Sequence, residues 1–309
     1  MLQKPMDIPK RYPVRKSKKQ KQAFREDVTA YAQNLGYAVK TEKGTFHAQN
    51  LILGEPEKAK YLVTAHYDTC ARMLLPNFIA PCNPVVFLGY QMVLVVLLVA
   101  AALVAGVVTV VLTHSLTIAQ FVALVVYWVL LLAMLVGPAN KHNANDNTSG
   151  VVTLLEIAAT LPENQRNKVA FVLFDLEEAG LIGSAYYRKA HKAQTDKQII
   201  LNLDCVGDGD ELMLFPTKKL KKDQGKLESL RTACGRFGKK SISLREKGFT
   251  KYPSDQKNFP YGVGIAAFHR KRGIGLYCSR IHTGRDTVLE ITNVNLLRAA
   301  LITLIAGNP

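Results

Sequence analysis

Residues 61–68 read Tyr-Leu-Val-Thr-Ala-His-Tyr-Asp, an apolar run that ends on a histidine and an aspartate. The apolar and β-branched side chains before His66 predict a buried strand that ends at this residue. Side chains alternate across a strand, so positions 66 and 68 share one face. His66 can therefore ligate a metal while Asp68 accepts the other ring N–H and orients the imidazole.

Two further apolar runs end on acids. Residues 169–175 (Val-Ala-Phe-Val-Leu-Phe-Asp) lead to Glu177 and Glu178, and residues 199–204 (Ile-Ile-Leu-Asn-Leu-Asp) end at Asp204. Open α/β sheets gather ligands at the carboxyl ends of their strands. Of the two adjacent glutamates, one can bind a metal while the other holds a proton.

Two more segments complete a set of five. Asp146 lies in Asn-Asp-Asn-Thr-Ser-Gly at residues 145–150, and His282 precedes a threonine. Taken alone, Asp146 is typical of an N-cap for a helix that begins near Gly150. The order and context of all five segments instead indicate a two-metal hydrolase site, because Zn²⁺ takes imidazole and carboxylate ligands and paired ions can activate water.

Together these segments resemble the co-catalytic zinc metallopeptidase family that includes bacterial leucine aminopeptidases, aminopeptidase Y and glutamate carboxypeptidase. The resemblance covers the chain from about Gln20 to its end, outside the central apolar stretch. It implies an α/β fold with three α/β/α layers around a mixed sheet, and two zinc ions per chain. It also implies a set of roles: His66, Glu178, Asp204 and His282 as terminal zinc ligands, Asp146 as the bridging ligand, Glu177 as the general acid/base, and Asp68 as the carboxylate that orients His66.

Two details bear on the rest of the pocket. Ser254-Asp255 resembles a dipeptide of the family, but Gln256 stands where many relatives have histidine. This departure leaves the five presumed ligands intact and affects only what lines the substrate side. Asp286 also recurs in the family pattern, and we expect it to have a structural role.

The second large feature of the chain is an uncharged segment. No Asp, Glu, Lys or Arg occurs in residues 73–140, although 21% of the chain is charged. Its two apolar runs, about 87–112 and 116–136, each reach the roughly 20 residues that a transmembrane helix needs. We therefore predict a two-helix transmembrane hairpin inserted into a single peptidase domain formed by residues 1–72 and 141–309, with 1–22 as a basic tail. A buried helical hairpin in a soluble core, or a pair that only dips into the membrane, is the alternative.

Charge and cysteine content indicate where the catalytic domain lies. Residues 1–10 lack the apolar region of a signal peptide, and Arg72 and Lys141 flank the hairpin, which favours a multi-pass membrane protein with a cytoplasmic catalytic domain. Five cysteines without CxxC spacing indicate reduced thiols. The net charge of +16 comes without a nucleic-acid-binding motif, so we expect the basic N-terminus to contact anionic lipid headgroups and exclude nucleic acid as a partner.

The sequence thus predicts a membrane-anchored, zinc-dependent aminopeptidase that acts on peptides with a free N-terminus. In this family one zinc ion is expected to bind the free α-amino group. A single-zinc acyltransferase like the related glutaminyl cyclases is one alternative. A non-catalytic receptor or scaffold is another, but it predicts decayed ligands, whereas all five are present. The preferred N-terminal residue and the oligomeric state stay open at this point.

Overall fold

The computed structural model describes residues 2–307, so Met1, Asn308 and Pro309, which the predicted domain bounds include, lie outside the described residues. Within 2–307, ten strands form one sheet: β1 (Val39–Lys43), β2 (Gln49–Leu53), β3 (Tyr61–His66), β4 (Val169–Phe174), β5 (Ile199–Leu203), β6 (Glu211–Pro216), β7 (Gly235–Phe237), β8 (Lys240–Leu244), β9 (Gly262–Lys271) and β10 (Gly275–Tyr277).

The sheet is mixed, with the order β1-β2-β4-β3-β5-β9-β6-β8-β7, and β10 pairs with β9. Strands β4, β3, β5 and β9 are parallel to one another, whereas β1, β2 and β7 pair antiparallel with their neighbours. His66 at the end of β3 is in register with Phe174 at the end of β4. The residues that follow these parallel strands therefore emerge at one edge of the sheet.

Helices cover both faces of this sheet. Over the described residues they are α1 (Ile8–Arg11), α2 (Lys18–Asn34), α3 (Pro84–Thr113), α4 (Leu116–Val136), α5 (Gly150–Thr160), α6 (Ile182–Ala190), α7 (Lys192–Thr195), α8 (Gln224–Arg231) and α9 (Ile291–Ala306). Buried residues of α2, α5, α8 and α9 share one core with the sheet, and Tyr187 of α6 packs in a second core on the opposite face.

The central strands are apolar throughout because both of their faces are buried. In β4, Phe171 belongs to the core beneath α5 and α9, and the next residue, Val172, belongs to the core beneath α6. Strands covered on both sides read as continuous apolar runs rather than as alternating ones. The predicted three-layer α/β/α fold with a mixed sheet is confirmed.

The inserted segment forms a helical hairpin of α3 and α4. Helix α3 begins three residues before the predicted boundary because Asn83 caps it and Pro84 occupies its first position. Gly106 allows close packing of the two helices, since a Cβ there would lie 3.3 Å from the Cβ of Ala123. Pairing of Ala71 with Ala139 closes the base of the hairpin.

The hairpin is not buried in a soluble core. Both helices are long and apolar enough to cross a membrane, yet only 11% and 6% of their most apolar 18-residue windows are buried. Core helices of soluble proteins are buried over most of such a window, so that alternative does not describe α3 and α4. Membrane crossing stays a prediction, which this exposed apolar surface supports.

The N-terminal segment differs from the expected tail. Helix α2 begins at Lys18, because Ser17 and Gln20 form a capping box. Ile8 and Arg15 have no exposed surface, and Lys21 lies 2.6 Å from the carboxylate of Asp175. Arg15 and Lys21 of the basic N-terminus therefore contribute to the domain, and contact of this segment with lipid headgroups stays a prediction.

Candidate metal centre

Three of the predicted segments meet because their strands are adjacent and parallel. His66 ends β3, Asp204 follows β5 directly, and Glu177 and Glu178 follow β4 after a two-residue turn. In the sheet β3 lies between β4 and β5. The carboxyl ends of these strands thus bring all four side chains to one crevice, as expected for an open α/β sheet.

Asp146 reaches the same crevice on an irregular turn before α5. The backbone N–H groups of Asn145 and Asp146 donate to the two carboxylate oxygens of Asp286, at 2.8 and 3.0 Å. Asn147 donates to the carbonyl of Leu203 at 2.9 Å, which ties the turn to the end of β5. These contacts give Asp286 the structural role that was expected of it.

The two histidines flank the Asp146 carboxylate from opposite sides. His66 Nε2 lies 3.3 Å from Asp146 Oδ1, and His282 Nε2 lies 3.1 Å from Asp146 Oδ2. His66 Nε2 is also 3.6 Å from Asp204 Oδ1, and His282 Nε2 is 3.4 Å from Glu178 Oε2. Asp146 Oδ1 therefore lies beside His66, which also neighbours Asp204. Asp146 Oδ2 lies beside His282, which also neighbours Glu178.

These spacings fit zinc. Ligand distances of roughly 2.0–2.2 Å in a tetrahedral site put neighbouring donor atoms about 3.3 Å apart. Donor atoms of His66, Asp146 and Asp204 lie within 4.8 Å of one another, as do those of Cys70, Glu178 and His282. The buried Oε1 atom of Glu178 has no hydrogen-bond partner among the described residues. The donor set, its separations and this unpaired oxygen all suit bound cations.

Asp68 lies behind His66, but its carboxylate mainly holds a turn of the backbone. His66 Nδ1 is 3.5 Å from the Asp68 carboxylate and 3.2 Å from the Asp68 carbonyl oxygen. The two carboxylate oxygens accept from the backbone N–H groups of Glu177 and Glu178, at 3.1 and 3.2 Å. Asp68 thus holds the backbone of both glutamates, and its role in orienting His66 stays a prediction.

The concentration of buried acids strongly perturbs their pKa values. Burial raises the pKa of Glu177 well above its usual range, and it raises the pKa of Glu178 to about 8. Burial alone would lower the pKa of His282, but the carboxylates of Glu178 and Asp146 outweigh it and raise that pKa to about 9. Such crowding of like charges is costly unless cations neutralise it, which is what bound metal ions do.

Asp255 is a further acid of the site that the sequence interpretation did not assign. It is fully buried, and burial raises its pKa to about 7, with the carboxylates of Asp204 and Asp68 adding to the rise. The next residue, Gln256, has a structural role, because it accepts from Asn202 at 3.2 Å and donates to the Tyr252 carbonyl at 2.8 Å. The Ser-Asp dipeptide was the only signal in the sequence that pointed to this residue.

The site opens into a cavity of about 410 Å³. Its lining includes five residues of the site: Asp146, Glu177, Glu178, Asp204 and His282. Other polar and apolar residues that line it include Asn77, Ile79, Leu135, Cys205, Tyr252, Pro253 and Ile281. This cavity, which we call the catalytic cavity, has room for a residue of a bound peptide beside the acids.

Comparison with known proteins gives a consistent picture. Residues 131–305 match the model of peptidase family M28. Aminopeptidase YwaD of Bacillus subtilis is 33% identical over 130 residues, which cover 38% of this chain and 29% of that protein. The matched region thus spans less than a third of that relative's length.

Solved structures share the fold. A Zn-dependent exopeptidase from Parabacteroides distasonis has a TM-score of 0.60 at 14% identity, covering 98% of this chain and 96% of its own. A glutaminyl cyclase from Bacteroides thetaiotaomicron has a TM-score of 0.60 at 15% identity, covering 99% and 96%. At these identities the similarity establishes the fold alone.

Proposed function

This chain belongs to peptidase family M28, and on that basis we propose that it is a membrane-anchored, zinc-dependent aminopeptidase. One observation carries the proposal: the Asp146 carboxylate presents one oxygen to His66 and the other to His282, at 3.3 and 3.1 Å. A single carboxylate placed in this way suits two ions that share a ligand. His66 and Asp204 would complete one zinc site, and Glu178 and His282 would complete the other.

The chemistry divides between the ions and one glutamate. Zinc bound here supplies Lewis acidity, which activates water and polarises the peptide carbonyl. Glu177 is left without a role as a ligand, lines the catalytic cavity, and has its pKa raised well above the usual range by burial. Its carboxylate takes a proton from the attacking water and delivers it to the nitrogen of the leaving amine.

The donor set of the catalytic cavity favours peptides with a free N-terminus. Three of the four acids that line it, Asp146, Glu178 and Asp204, would hold zinc. Zinc held there would offer a ligand position to a free α-amino group, whereas the nitrogen of an acetylated N-terminus is a poor ligand. Peptides with unblocked N-termini are therefore the proposed substrates.

The hairpin of α3 and α4 anchors the catalytic domain to a membrane, with the domain on the cytoplasmic side. Cations gather where the hairpin meets the domain: Arg72 and Lys141 flank it, and Lys16 Nζ donates to the carbonyl of Leu135 at 2.9 Å. Cationic residues at this boundary favour the cytoplasmic side of a membrane and suit contacts with anionic lipid headgroups.

The test uses the zinc-loaded chain, purified in detergent, and two peptides that differ only in whether the N-terminus is unblocked or N-acetylated. Cleavage of both peptides is measured for the wild type and for Glu177→Gln. We expect release of N-terminal residues from the unblocked peptide only. Glu177→Gln should lower kcat by about 100-fold or more, because it removes the proton acceptor. Its zinc content should match that of the wild type. The matched control is Glu163→Gln, which changes a glutamate on the surface away from the site.

The alternatives give different results. Equal cleavage of both peptides would contradict exopeptidase specificity. Cyclisation of N-terminal glutamine with one zinc per chain would instead assign the site to a glutaminyl-cyclase-like acyltransferase. Normal zinc content without turnover of any peptide would mean that the donors serve a binding protein.

A further inference from the structure

The two helices of the hairpin differ in length, and this difference sets how close the metal centre lies to the part of the hairpin in which the helices pair. α3 has 30 residues and α4 has 21, so α3 is nine residues longer, about 13 Å at 1.5 Å per residue. Gly106 packs against Ala123, each eight residues from the turn at 114–115, so the two helices pair in register from that turn. Residues 84–92 therefore extend past the end of α4.

This extension of α3 is fixed to the catalytic domain. Phe87 is buried, and Lys251 Nζ lies 5.2 Å from the centre of its ring. Asn83, which caps α3, donates its side-chain amide to the carbonyl of Ile274 at 3.1 Å. These contacts fix the position of the hairpin relative to the metal centre. The part of the hairpin in which α3 and α4 pair therefore begins level with the end of α4.

The catalytic cavity lies at that level. Leu135, one residue before the end of α4, is part of its wall, together with Asn77 and Ile79 from the segment that leads into the hairpin. A residue of a predicted membrane helix thus lies in the same cavity as Glu177 and His282. Where α3 and α4 cross a membrane, the metal centre lies at the membrane surface rather than above it.

A second cavity of about 370 Å³ lies beside the hairpin, and we call it the apolar crevice. Residues 72–75 form one side of it, and the hairpin residues that line it are Leu94, Leu97, Leu98, Ala101, Leu130, Ala133 and Met134.

Neighbouring residues of the same two chain segments line the two cavities. Met134 of the apolar crevice precedes Leu135 of the catalytic cavity, and the N–H of Met73 donates to the carbonyl of His282 at 2.7 Å. Leu74 is fully exposed beside the hairpin, as expected for a side chain in contact with lipid.

We propose that the apolar crevice binds the bilayer-embedded, apolar stretch of a peptide substrate whose free N-terminus occupies the catalytic cavity. The inference rests on the proposed aminopeptidase function and names its substrate class: peptides in which a short N-terminal segment precedes a membrane segment. A peptide reaches the apolar crevice through the bilayer only if its backbone groups are satisfied and its side chains are apolar. The apolar lining, and the two chain segments that line both the apolar crevice and the catalytic cavity, favour this occupant.

Two peptides of equal length test the proposal. Both have the same unblocked N-terminal residues, but one continues into an apolar helix of about 20 residues and the other into a polar sequence. The zinc-loaded full chain in phosphatidylcholine proteoliposomes cleaves either peptide, and kcat/KM is measured for each. Because concentration in the bilayer alone favours the membrane peptide, the decisive readout is how the ratio of the two values changes in a variant of the apolar crevice.

Ala101→Trp fills the apolar crevice, and the neighbouring Ala100→Trp, outside its lining, is the matched control. We expect Ala101→Trp to lower the ratio by about tenfold or more, because the indole takes the space that the apolar stretch of the membrane peptide would occupy. Ala100→Trp should leave the ratio unchanged. A ratio that stays unchanged in Ala101→Trp would overturn the inference. This includes the result in which kcat/KM falls equally for both peptides, as expected if lipid fills the apolar crevice. Failure of the wild type to cleave either peptide would overturn the proposed function itself.

Discussion

Arg15 lies beneath the metal centre with no exposed surface. Its Nε donates to the carbonyl of Tyr67 at 2.5 Å, Nη1 donates to the carbonyl of Tyr12 at 2.6 Å, and Nη2 donates to Thr148 Oγ1 at 3.0 Å. Burial lowers the pKa of Arg15 to about 10, so the guanidinium stays charged at neutral pH. One side chain thereby joins the N-terminal segment to the strand of His66 and to the turn of Asp146.

Replacing this side chain should destabilise the whole domain. Arg15→Met leaves buried acceptors unpaired, which we expect to cost about 3 kcal/mol and to lower Tm by roughly 6 °C or more. Arg15→Lys should recover only part of the loss, since an ammonium cannot reproduce the guanidinium fork. Thermal unfolding in detergent measures both, with the exposed Lys19→Met as control. Equal Tm values for Arg15→Met and Lys19→Met would contradict this role.

The five residues that we propose as ligands stood out in the sequence because they lie at the ends of recognisable strands or in recognisable turns. For Asp255 the only signal was the Ser-Asp dipeptide, and its burial depends on contacts far apart in the sequence. The partners of Asp68 were equally hidden. Its bonds to the N–H groups of Glu177 and Glu178 depend on the path of the turn after β4, which no local pattern encodes.

At the scale of elements, β3, β4 and β5 were predictable because burial on both faces makes each a continuous apolar run. The position of β9 between β5 and β6 could not be predicted from the sequence, because strand order depends on pairing between distant segments. Helix α2 begins at Lys18, inside the predicted basic tail of residues 1–22, and its capping box of Ser17 and Gln20 was hidden within a run of basic residues. The ends of α4 matched the prediction, since polar residues and Gly137 bound its apolar run.

The hairpin also makes a prediction about topology. Both of its ends return to one domain, so the turn at Ser115 must lie on the opposite side of the membrane from the catalytic domain if the hairpin crosses. With the domain in the cytoplasm, a membrane-impermeant maleimide should label Ser115→Cys in intact cells. It should label Lys239→Cys, on the exposed turn between β7 and β8, only after permeabilisation. The wild type serves as the control for labelling of the native cysteines. Labelling of Lys239→Cys in intact cells, with Ser115→Cys labelled only after permeabilisation, would contradict the proposed orientation.

For the molecule as a whole, charge and apolarity are separated in space. The net charge of +16 belongs to a chain whose residues 73–140 carry no Asp, Glu, Lys or Arg, so its cations lie in the catalytic domain. This division was visible in the sequence. The sequence did not indicate how closely the two parts meet, because the wall that Leu135 contributes to the catalytic cavity depends on the unequal lengths of α3 and α4.

The number of zinc ions per chain tests the metal centre most directly. We predict that elemental analysis of the purified, zinc-loaded chain finds two ions in the wild type and in the surface control Asp210→Asn. Asp146→Asn should bind fewer than one, because Asp146 is the carboxylate that both histidines share. A wild-type chain without zinc, or Asp146→Asn with both ions retained, would contradict the assignment of this site.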